Sequence, residues 1–311
     1  MLANRKIVII GTGHVGSHCA YALAIQGICD EIVLVDKDRT KAKSHSMDIA
    51  DSVSFNSSVI VRCGDYSDCK DADIIVISAG VPRLPGQTRL DVLDGSVECV
   101  RDIVSNLNKI EIKGIIITIT NPADIIADFV RKATGLPKNR VFSTGTSLDT
   151  ARMRRTVADL CNIAPQSVIG FAMGEHGDSS MVPFSNLTIF GKNYKHLREE
   201  NPERFGKLSE KVITDQTHMR GMDIIEGKGS TEFGIGTALA DMAKAVLMDE
   251  HRILPASTLL EGEYGQTNVH AGVPCIIGRN GIEQIIELKL TDEELKQFEN
   301  SCNVIKQHMV E

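Results

Sequence analysis

A glycine-rich turn near the start of the chain constrains its fold more than any other feature. Gly11, Gly13 and Gly16 follow the apolar run Lys6–Ile10 and precede a stretch with helical periodicity. In a strand–turn–helix unit, the first glycine permits the tight turn and the second lets a pyrophosphate approach the backbone. The third allows the helix to pack closely on the strand, and the helix N-terminus offers amides to the phosphates. The turn therefore predicts a dinucleotide-binding parallel sheet.

Asp36 predicts which dinucleotide binds. It ends the second apolar run, Glu31–Val35, about 20 residues after the third glycine, where a carboxylate would accept hydrogen bonds from ribose hydroxyls and repel a 2′-phosphate. We therefore expect NAD. Two alternatives stay open at this point: Asp36 could be the N-cap of the next helix, and the basic residues of Lys37-Asp38-Arg39 could accommodate NADP.

Short apolar runs rich in β-branched residues alternate with helical stretches over residues 6–143. The runs are continuous, as expected for strands buried on both faces. Six strands with helices between them predict an α/β fold with a doubly wound parallel (Rossmann) sheet. The predicted strands are 6–10, 31–35, 58–63, 73–78, 115–120 and 140–143, and the predicted helices are 15–26, 38–53, 91–112 and 123–133.

From about residue 145 the pattern changes to long helices and hairpin-like strands, which predicts a mixed α+β substrate domain. The predicted strand regions are 167–173, 181–190 and 272–290. Asn201 and Pro202 predict the start of a helix that runs to about Glu226, and Thr291 and Glu294 form a capping box for the last helix. We therefore divide the chain into an NAD-binding domain, residues 1–144, and a substrate domain, residues 145–311.

Charge and composition exclude several classes of protein. The net charge is −7 and no basic run is present, so the sequence gives no electrostatic reason to bind nucleic acid. Apolar runs such as Ile74–Ile77 are far shorter than the roughly 20 residues of a membrane span. The eight cysteines are scattered singly and the N-terminal apolar run is too short for a signal peptide. We therefore expect a cytoplasmic protein with reduced thiols, no metal and no membrane partner.

Two further motifs follow predicted strands of the parallel sheet, at the edge where such folds bind ligands. Ser78, Ala79 and Gly80 close the fourth strand and lead into a loop that carries Arg83 and Arg89. We expect the first three residues to contact the cofactor. An isolated arginine in such a loop is more often simply solvated, but the position of this loop at the carboxyl end of a parallel strand favours ligand binding. Thr120-Asn121-Pro122 ends the fifth strand, where the Asn121 amide could hold a ligand oxygen or cap the next helix.

The remaining candidate residues are a histidine and an aspartate–arginine pair. His176 lies between glycines in Gly174-Glu175-His176-Gly177-Asp178, a setting that leaves an imidazole accessible for acid–base chemistry. Asp149 and Arg152 are three residues apart on a predicted helix, a spacing that is more typical of a surface ion pair. Nothing in the spacing alone joins His176 to Asp149.

Together these motifs resemble the lactate/malate dehydrogenase family over essentially the whole chain, from Lys6 to the final helix. The motifs occur along the chain in the same order as in the family, beginning with the glycine turn and Asp36. It continues with Pro85-Gly86-Gln87-Thr88-Arg89-Leu90-Asp91, Thr120-Asn121-Pro122, Leu148-Asp149-Thr150-Ala151-Arg152, Gly174-Glu175-His176-Gly177-Asp178-Ser179 and Gly229-Ser230-Thr231. The resemblance implies an NAD-dependent L-2-hydroxy acid dehydrogenase.

The resemblance also implies roles for the catalytic residues. His176 would donate a proton when a 2-keto acid is reduced and accept one when the 2-hydroxy acid is oxidised. Asp149 would orient the imidazole and stabilise its cation. Arg89 would be carried in by a closing loop and polarise the carbonyl. The cofactor-binding residues would be Gly11, Gly13, Val15, Gly16, Asp36, Ser78, Ala79, Gly80 and Asn121.

The substrate-binding residues implied by the resemblance are Arg152, Arg83, Asn121 and Thr231. Arg152 would clamp the substrate carboxylate bidentately, Asn121 would help hold the substrate oxygen, and Thr231 would line the side-chain pocket. Arg83 lies where lactate enzymes of the family typically have glutamine and malate enzymes have arginine. Gln87 also lacks the negative charge that many lactate enzymes carry there.

The rest of the framework resembles the lactate branch. This applies to Glu175 before His176, to Thr231, and to Gly262-Glu263-Tyr264-Gly265 followed by Gly272-Val273-Pro274. We therefore expect an L-lactate dehydrogenase, with malate dehydrogenase as the close alternative and a bulkier 2-keto acid as a third possibility. A hydrogen bond to a charged group is worth about 1.5–3 kcal/mol, enough to shift preference between these substrates.

Regulation, assembly and other classes complete the expectations. Relatives activated by fructose 1,6-bisphosphate pair an arginine corresponding to Arg154 with a histidine at the position of Ile169, so we expect no such activation here. The family implies a homodimer or homotetramer.

Two other functional classes are less consistent with the sequence. A non-enzymatic cofactor sensor would need none of the catalytic residues, and a glycosidase on a related NAD-binding fold would need metal ligands that the sequence does not offer.

Overall fold

The computed structural model describes residues 5–55, 57–81 and 92–310. Three residues singled out above, Arg83, Gln87 and Arg89, lie outside the described residues. So does Asp91, the first residue of the helix predicted at 91–112. The remaining candidate residues are all described.

The first part of the chain forms a parallel sheet with helical connections. Its strands are β1 (Lys6–Ile10), β2 (Glu31–Val35), β3 (Ile60–Cys63), β4 (Ile74–Ile77), β5 (Ile115–Thr118) and β6 (Val141–Ser143), and its helices are α1 (His14–Ile25), α2 (Arg39–Val53), α3 (Leu93–Leu107) and α4 (Ala123–Thr134). The strand order β3-β2-β1-β4-β5-β6 reverses direction beside β1, as in a doubly wound dinucleotide-binding fold. The predicted fold class is confirmed.

The second part contains six α-helices and six strands among the described residues. The helices are α5 (Ser147–Cys161), α6 (Tyr194–Glu200), α7 (Pro202–Phe205), α8 (Glu210–Lys228), α9 (Phe233–Leu247) and α10 (Asp292–Lys306). The strands are β7 (Val168–Ile169), β8 (Thr188–Ile189), β9 (Lys192–Asn193), β10 (Arg252–Glu261), β11 (Thr267–Gly278) and β12 (Gly281–Ile285). β7, β8 and β9 form a small antiparallel sheet.

The antiparallel strands β10, β11 and β12 extend the large sheet instead of forming one of their own. β10 pairs with β6 at Ser257 and Ser143, which gives nine strands in the order β12-β11-β10-β6-β5-β4-β1-β2-β3. The strand region predicted at 272–290 therefore divides into the end of β11 and β12. Gly281 turns the chain between them with a φ of +87°, and β12 ends at Ile285.

Two predicted boundaries in the second part are wrong. The helix expected from Asn201 to about Glu226 is two helices, because α7 ends at Gly206 and α8 begins anew after Ser209, whose side chain accepts a hydrogen bond from the Val212 amide. The strand region 181–190 reduces to β8 and an isolated bridge between Met173 and Met181. The capping box of Thr291 and Glu294 is confirmed at the start of α10.

The core explains why the parallel strands read as continuous apolar runs. All residues of β1 and β4 are buried, since helices cover both faces of the sheet. A second, smaller apolar cluster lies between α5, α8 and the small sheet, and it includes Met153, Leu187 and Ile213. Within residues 5–55, 57–81 and 92–310, no helix combines the length and apolarity needed to cross a membrane.

Candidate active site

The glycine turn after β1 is packed on one side and open on the other. Gly11 has a φ of +95°, and a Cβ there would lie 2.6 Å from the Ala79 nitrogen, so only glycine fits against the end of β4. A Cβ on Gly16 would lie 1.9 Å from the Gly11 oxygen. Around Gly13, in contrast, a Cβ would meet no atom of the described chain within 4 Å, and no side chain caps α1. The turn therefore leaves space and backbone amides for a pyrophosphate.

Asp36 is fixed beside this turn. Its Oδ2 accepts hydrogen bonds from the Thr12 nitrogen at 2.6 Å and the Thr12 hydroxyl at 3.0 Å, and its Oδ1 accepts one from the Asp38 nitrogen at 2.9 Å. Burial acts to raise the pKa of Asp36, but these donors lower it below its usual value. The N-cap of α2 is Asp38, which leaves Asp36 as a held, partly exposed carboxylate at the end of β2.

His176 and Asp149 form a close pair, although nothing in their sequence spacing joined them. The His176 Nδ1 lies 2.5 Å from Asp149 Oδ2, and the two side chains are 14% and 10% exposed. Because a carboxylate only accepts hydrogen bonds, the imidazole proton lies on Nδ1, and Nε2 is the nitrogen that can exchange a proton with a substrate.

Arg152 lies on the other oxygen of the same carboxylate. Its Nη1 is 3.2 Å from Asp149 Oδ1, one turn away on α5. The guanidinium packs against α8 at Gly221, where a Cβ would lie 3.1 Å from Nη1 and 3.3 Å from Cζ. Its side chain is only 11% exposed, so the interpretation as a surface ion pair is wrong. Gly221 makes room for an arginine that a larger side chain would displace.

Asp124, in the first turn of α4, holds the backbone of His176. Its Oδ2 accepts a hydrogen bond from the His176 nitrogen at 2.8 Å, and the Ser257 hydroxyl is a second polar neighbour. Burial raises the pKa of Asp124 to about 6. The sequence analysis missed this residue, although it stands two positions after Pro122 in a motif already singled out.

The loop that carries His176 is also tied to the last helix and to β11. Gly174 and Gly272 exchange two backbone hydrogen bonds of 2.9 and 2.7 Å, and the Ser301 hydroxyl of α10 accepts one from the Glu175 nitrogen at 2.8 Å. Gly174 has a φ of +88°, and a Cβ there would lie 2.3 Å from the Ser301 hydroxyl oxygen. No sequence signal pointed to Ser301, because it lies on a distant amphipathic helix.

The other predicted site residues lie at the ends of elements. Asn121 is exposed after β5, and α4 begins only after Pro122, so Asn121 is not the helix cap. Thr231 lies in the turn between α8 and α9. Among the described residues, no hydrogen bond or ion pair joins Asn121 or Thr231 to His176. Their roles, and those of Val15, Ser78 and Gly80, stay predictions.

We expect Asp124→Asn to change how stability depends on pH. The folded pKa of about 6 exceeds the value of 3.8 for a free carboxyl, so the folded state binds a proton more tightly than the unfolded chain. The wild-type free energy of unfolding should therefore fall relative to the variant by up to about 3 kcal/mol as pH rises from about 4 to 6. Urea unfolding across this range measures the difference. A difference that does not vary with pH would contradict the prediction.

Comparison with known protein families gives two matches that together cover nearly the whole chain. Residues 5–143 match the model described as "lactate/malate dehydrogenase, NAD binding domain". Residues 146–311 match the model described as "lactate/malate dehydrogenase, alpha/beta C-terminal domain". The resemblance drawn from the motifs is thereby confirmed.

Individual relatives agree with the family models. The chain is 42% identical to L-lactate dehydrogenase 3 of Bacillus anthracis over 307 residues, which cover 98% of this chain and 97% of the relative. It is 43% identical to L-lactate dehydrogenase of Fusobacterium nucleatum subsp. nucleatum over 310 residues, 99% of this chain and 97% of the relative. The ligand-bound minor L-lactate dehydrogenase of Enterococcus mundtii superposes with a TM-score of 0.92 at 36% identity and covers 98% of both chains. The chain therefore belongs to the lactate/malate dehydrogenase family.

Proposed function

We propose that the chain is an NAD-dependent L-lactate dehydrogenase, which converts pyruvate, NADH and a proton to L-lactate and NAD. The observation that carries the proposal is the nearly buried cluster of His176, Asp149 and Arg152. It offers an imidazole with a fixed tautomer beside a cation that can bind a carboxylate. An acid–base group and a carboxylate clamp are what reduction of a 2-keto acid requires of a protein.

The cofactor is NAD, and residues at one edge of the sheet fit it. The glycine turn would receive the pyrophosphate, and Asp36 would accept hydrogen bonds from the ribose hydroxyls. When bound, NADH supplies the hydride. His176 hydrogen-bonds to Asp124, just beyond the end of β5, and the glycine turn follows β1. Both strands lie in one parallel sheet, so their carboxyl ends share an edge.

His176 supplies the proton in the direction of pyruvate reduction. With Nδ1 held by Asp149, the cationic ring presents the Nε2 proton to the substrate oxygen. As that oxygen gains negative charge, the proton moves to it and the neutral imidazole remains. In lactate oxidation the same nitrogen accepts the hydroxyl proton. Asp149 stays ionised throughout and stabilises the cation.

Arg152 binds the substrate carboxylate in this proposal. Its guanidinium has five N–H donors, and a flat fork of two of them matches the two oxygens of a carboxylate. Asn121 and Thr231 would complete the pocket on the substrate side. Arg89 would polarise the carbonyl and Arg83 would face the substrate side chain; both belong to the segment 82–91.

The preference for pyruvate over oxaloacetate is the test of this function. Similarity to relatives and structures named L-lactate dehydrogenase supports a preference for pyruvate in this chain. Arg83 instead supports a preference for a substrate with a second carboxylate, such as oxaloacetate. We expect pyruvate to give the higher kcat/KM, and Arg83→Gln to lower residual turnover of oxaloacetate by about 10–100-fold. Measuring NADH oxidation with pyruvate and with oxaloacetate, in the wild type and in Arg83→Gln, gives the four kcat/KM values that this comparison needs.

Two outcomes would change the assignment. If oxaloacetate is preferred and Arg83→Gln reverses the order, the chain is a malate dehydrogenase on a lactate-type framework. If neither 2-keto acid supports NADH oxidation while NADH binds, the chain is a cofactor-binding sensor. Comparing NADH with NADPH in the same assay tests the role of Asp36.

Other properties extend the same proposal. We infer a boundary between the NAD-binding and substrate domains at residues 144 and 145, assembly into a homodimer or homotetramer, and a cytoplasmic location. Fructose 1,6-bisphosphate is expected not to activate the enzyme. Ile169 offers no cation, and Arg154 already donates to the Gly170 oxygen at 3.1 Å and lies over the Phe171 ring.

A further inference from the structure

Helix α8 contains a half-buried histidine, His218, that the proposed reaction does not use. Its Nε2 and the Ser180 hydroxyl share a hydrogen bond of 3.0 Å, and Ser180 is 8% exposed. A hydroxyl can donate or accept, so this bond forms with either tautomer of the ring. Ser180 belongs to residues 173–181, the segment around His176, which we call the histidine loop. His218 therefore joins α8 directly to the histidine loop.

The histidine loop is the firmly held side of this contact. Its ends, Met173 and Met181, exchange two backbone hydrogen bonds of 2.8 and 2.9 Å. Between these ends, Asp124, Gly272 and Ser301 bind the loop backbone from three other elements, α4, β11 and α10. Loss of the contact with α8 would leave all these supports in place, so the loop itself should keep its position.

Helix α8 is the weakly held side. Of its 19 residues, all of them described, only Ile213 and Thr217 are buried within the chain. Arg220 ties the helix to α5 by a hydrogen bond of 2.7 Å to Asp159, but both side chains are more than a third exposed. An ion pair that is exposed to this extent contributes little to stability. The middle of α8 therefore depends on few contacts, and His218 supplies one of them.

The position of α8 matters because Arg152 rests on it. Gly221 lies three residues after His218, on the same face of the helix. A Cβ on Gly221 would lie 3.1 Å from Arg152 Nη1 and 3.3 Å from Nη2, so the guanidinium packs directly on the helix backbone. A binding group displaced by about 1 Å can lose much of its effect. A contact that fixes α8 therefore also fixes the surface that supports Arg152.

We propose that His218 is a positioning residue for the carboxylate clamp: by holding α8 against the histidine loop, it keeps Gly221 packed on the Arg152 guanidinium. This inference rests on the proposed function, because it takes Arg152 as the group that binds the substrate carboxylate. His218 itself contacts no reacting atom. A displaced clamp binds the ground state and the transition state equally less well, so loss of His218 raises KM and changes kcat little.

Steady-state kinetics of His218→Leu with pyruvate test the proposal. Leucine is similar in size but cannot form a hydrogen bond with Ser180. We expect KM to rise about 3–10-fold, the effect of one lost hydrogen bond, and kcat to stay within about twofold of the wild type.

Two further variants separate this hydrogen bond from other effects of the substitution. Ser180→Ala removes the same bond from the other side and should raise KM to a similar extent. The double variant with His218→Leu should then be no worse than either single one, because both changes remove one interaction. His218→Gln keeps a polar group that can bond to the Ser180 hydroxyl, so its KM should return to within about twofold of the wild type.

His196→Leu is the matched control, because His196 is an exposed histidine on α6, away from both α8 and the histidine loop in sequence. It should have the wild-type KM. An unchanged KM in His218→Leu would overturn the proposal. A fall in kcat without a change in KM would overturn it too, because the contact would then serve proton transfer by His176 and not the clamp.

Hydrogen exchange of the backbone amides tests the anchoring of α8 without reference to activity. In His218→Leu we expect the amides of α8 to exchange about threefold faster or more, with exchange in the histidine loop and the parallel sheet unchanged. Equal exchange in α8 would contradict the anchoring role. If the wild type converts neither 2-keto acid, the proposed function fails, whereas the exchange result still decides whether His218 holds α8.

Discussion

We expect His176→Gln to lower kcat/KM for pyruvate reduction by about 10²–10⁴-fold, the usual contribution of a positioned general acid. Glutamine is similar in size and polarity but cannot release a proton to the substrate oxygen. The buried contact with Asp149 would lose its charge assistance, while the glycine turn and Asp36 would be untouched. The affinity for NADH should therefore stay within about twofold of the wild type.

Stopped-flow reduction of pyruvate and fluorescence titration with NADH separate these two effects. His196→Gln is the control, since His196 is exposed on α6 and does not belong to the cluster of His176, Asp149 and Arg152. It should retain wild-type kinetics. If His176→Gln retained more than about a tenth of the wild-type kcat/KM, His176 would not be the proton donor.

The second large effect is expected for Arg152→Lys. Lysine keeps the positive charge but loses the flat fork, and each charge-assisted hydrogen bond contributes about 1.5–3 kcal/mol. Loss of two such bonds lowers kcat/KM for pyruvate by about 10²–10⁴-fold, chiefly through a higher KM if the clamp holds the ground state and the transition state equally. The shorter donor would also leave the space beside Gly221 unfilled.

Arg155→Lys is the matched control on the same helix. Arg155 is 60% exposed and pairs with Asp159 at 2.8 Å, one turn further along α5. An exposed pair of this kind contributes little to stability, so this variant should have nearly wild-type KM and kcat. Equal KM values for pyruvate in Arg152→Lys and the wild type would contradict the role assigned to Arg152.

The sequence predicted the parallel sheet and its cofactor edge because those features depend on local patterns. Continuous apolar runs identified all six parallel strands, and the glycine turn is a local solution to a local steric problem. Gly11 illustrates this, since its positive φ and its contact with Ala79 both exclude a side chain. The position of Asp36 at the end of β2 follows from the strand alone.

The structure was needed wherever the site depends on distant parts of the chain. His176 and Asp149 meet only because α5 and the loop after β7 pack together, and periodicity carries no such information. Ser301 supports the same loop from the last helix. β10 was not predicted as a strand, and its pairing with β6 makes one sheet from what had been divided into two regions.

The backbone around His176 is held from both parts of the chain: Asp124 comes from the segment before residue 144, and Gly272 and Ser301 come from the segment after it. This shared support limits how the protein can be recombined. A chimaera that exchanges the cofactor-binding segment with that of a relative keeps this support only if the relative also has an aspartate at the position of Asp124. The useful unit of exchange is therefore the cofactor-binding segment without α4, because that helix belongs functionally with the half that follows it.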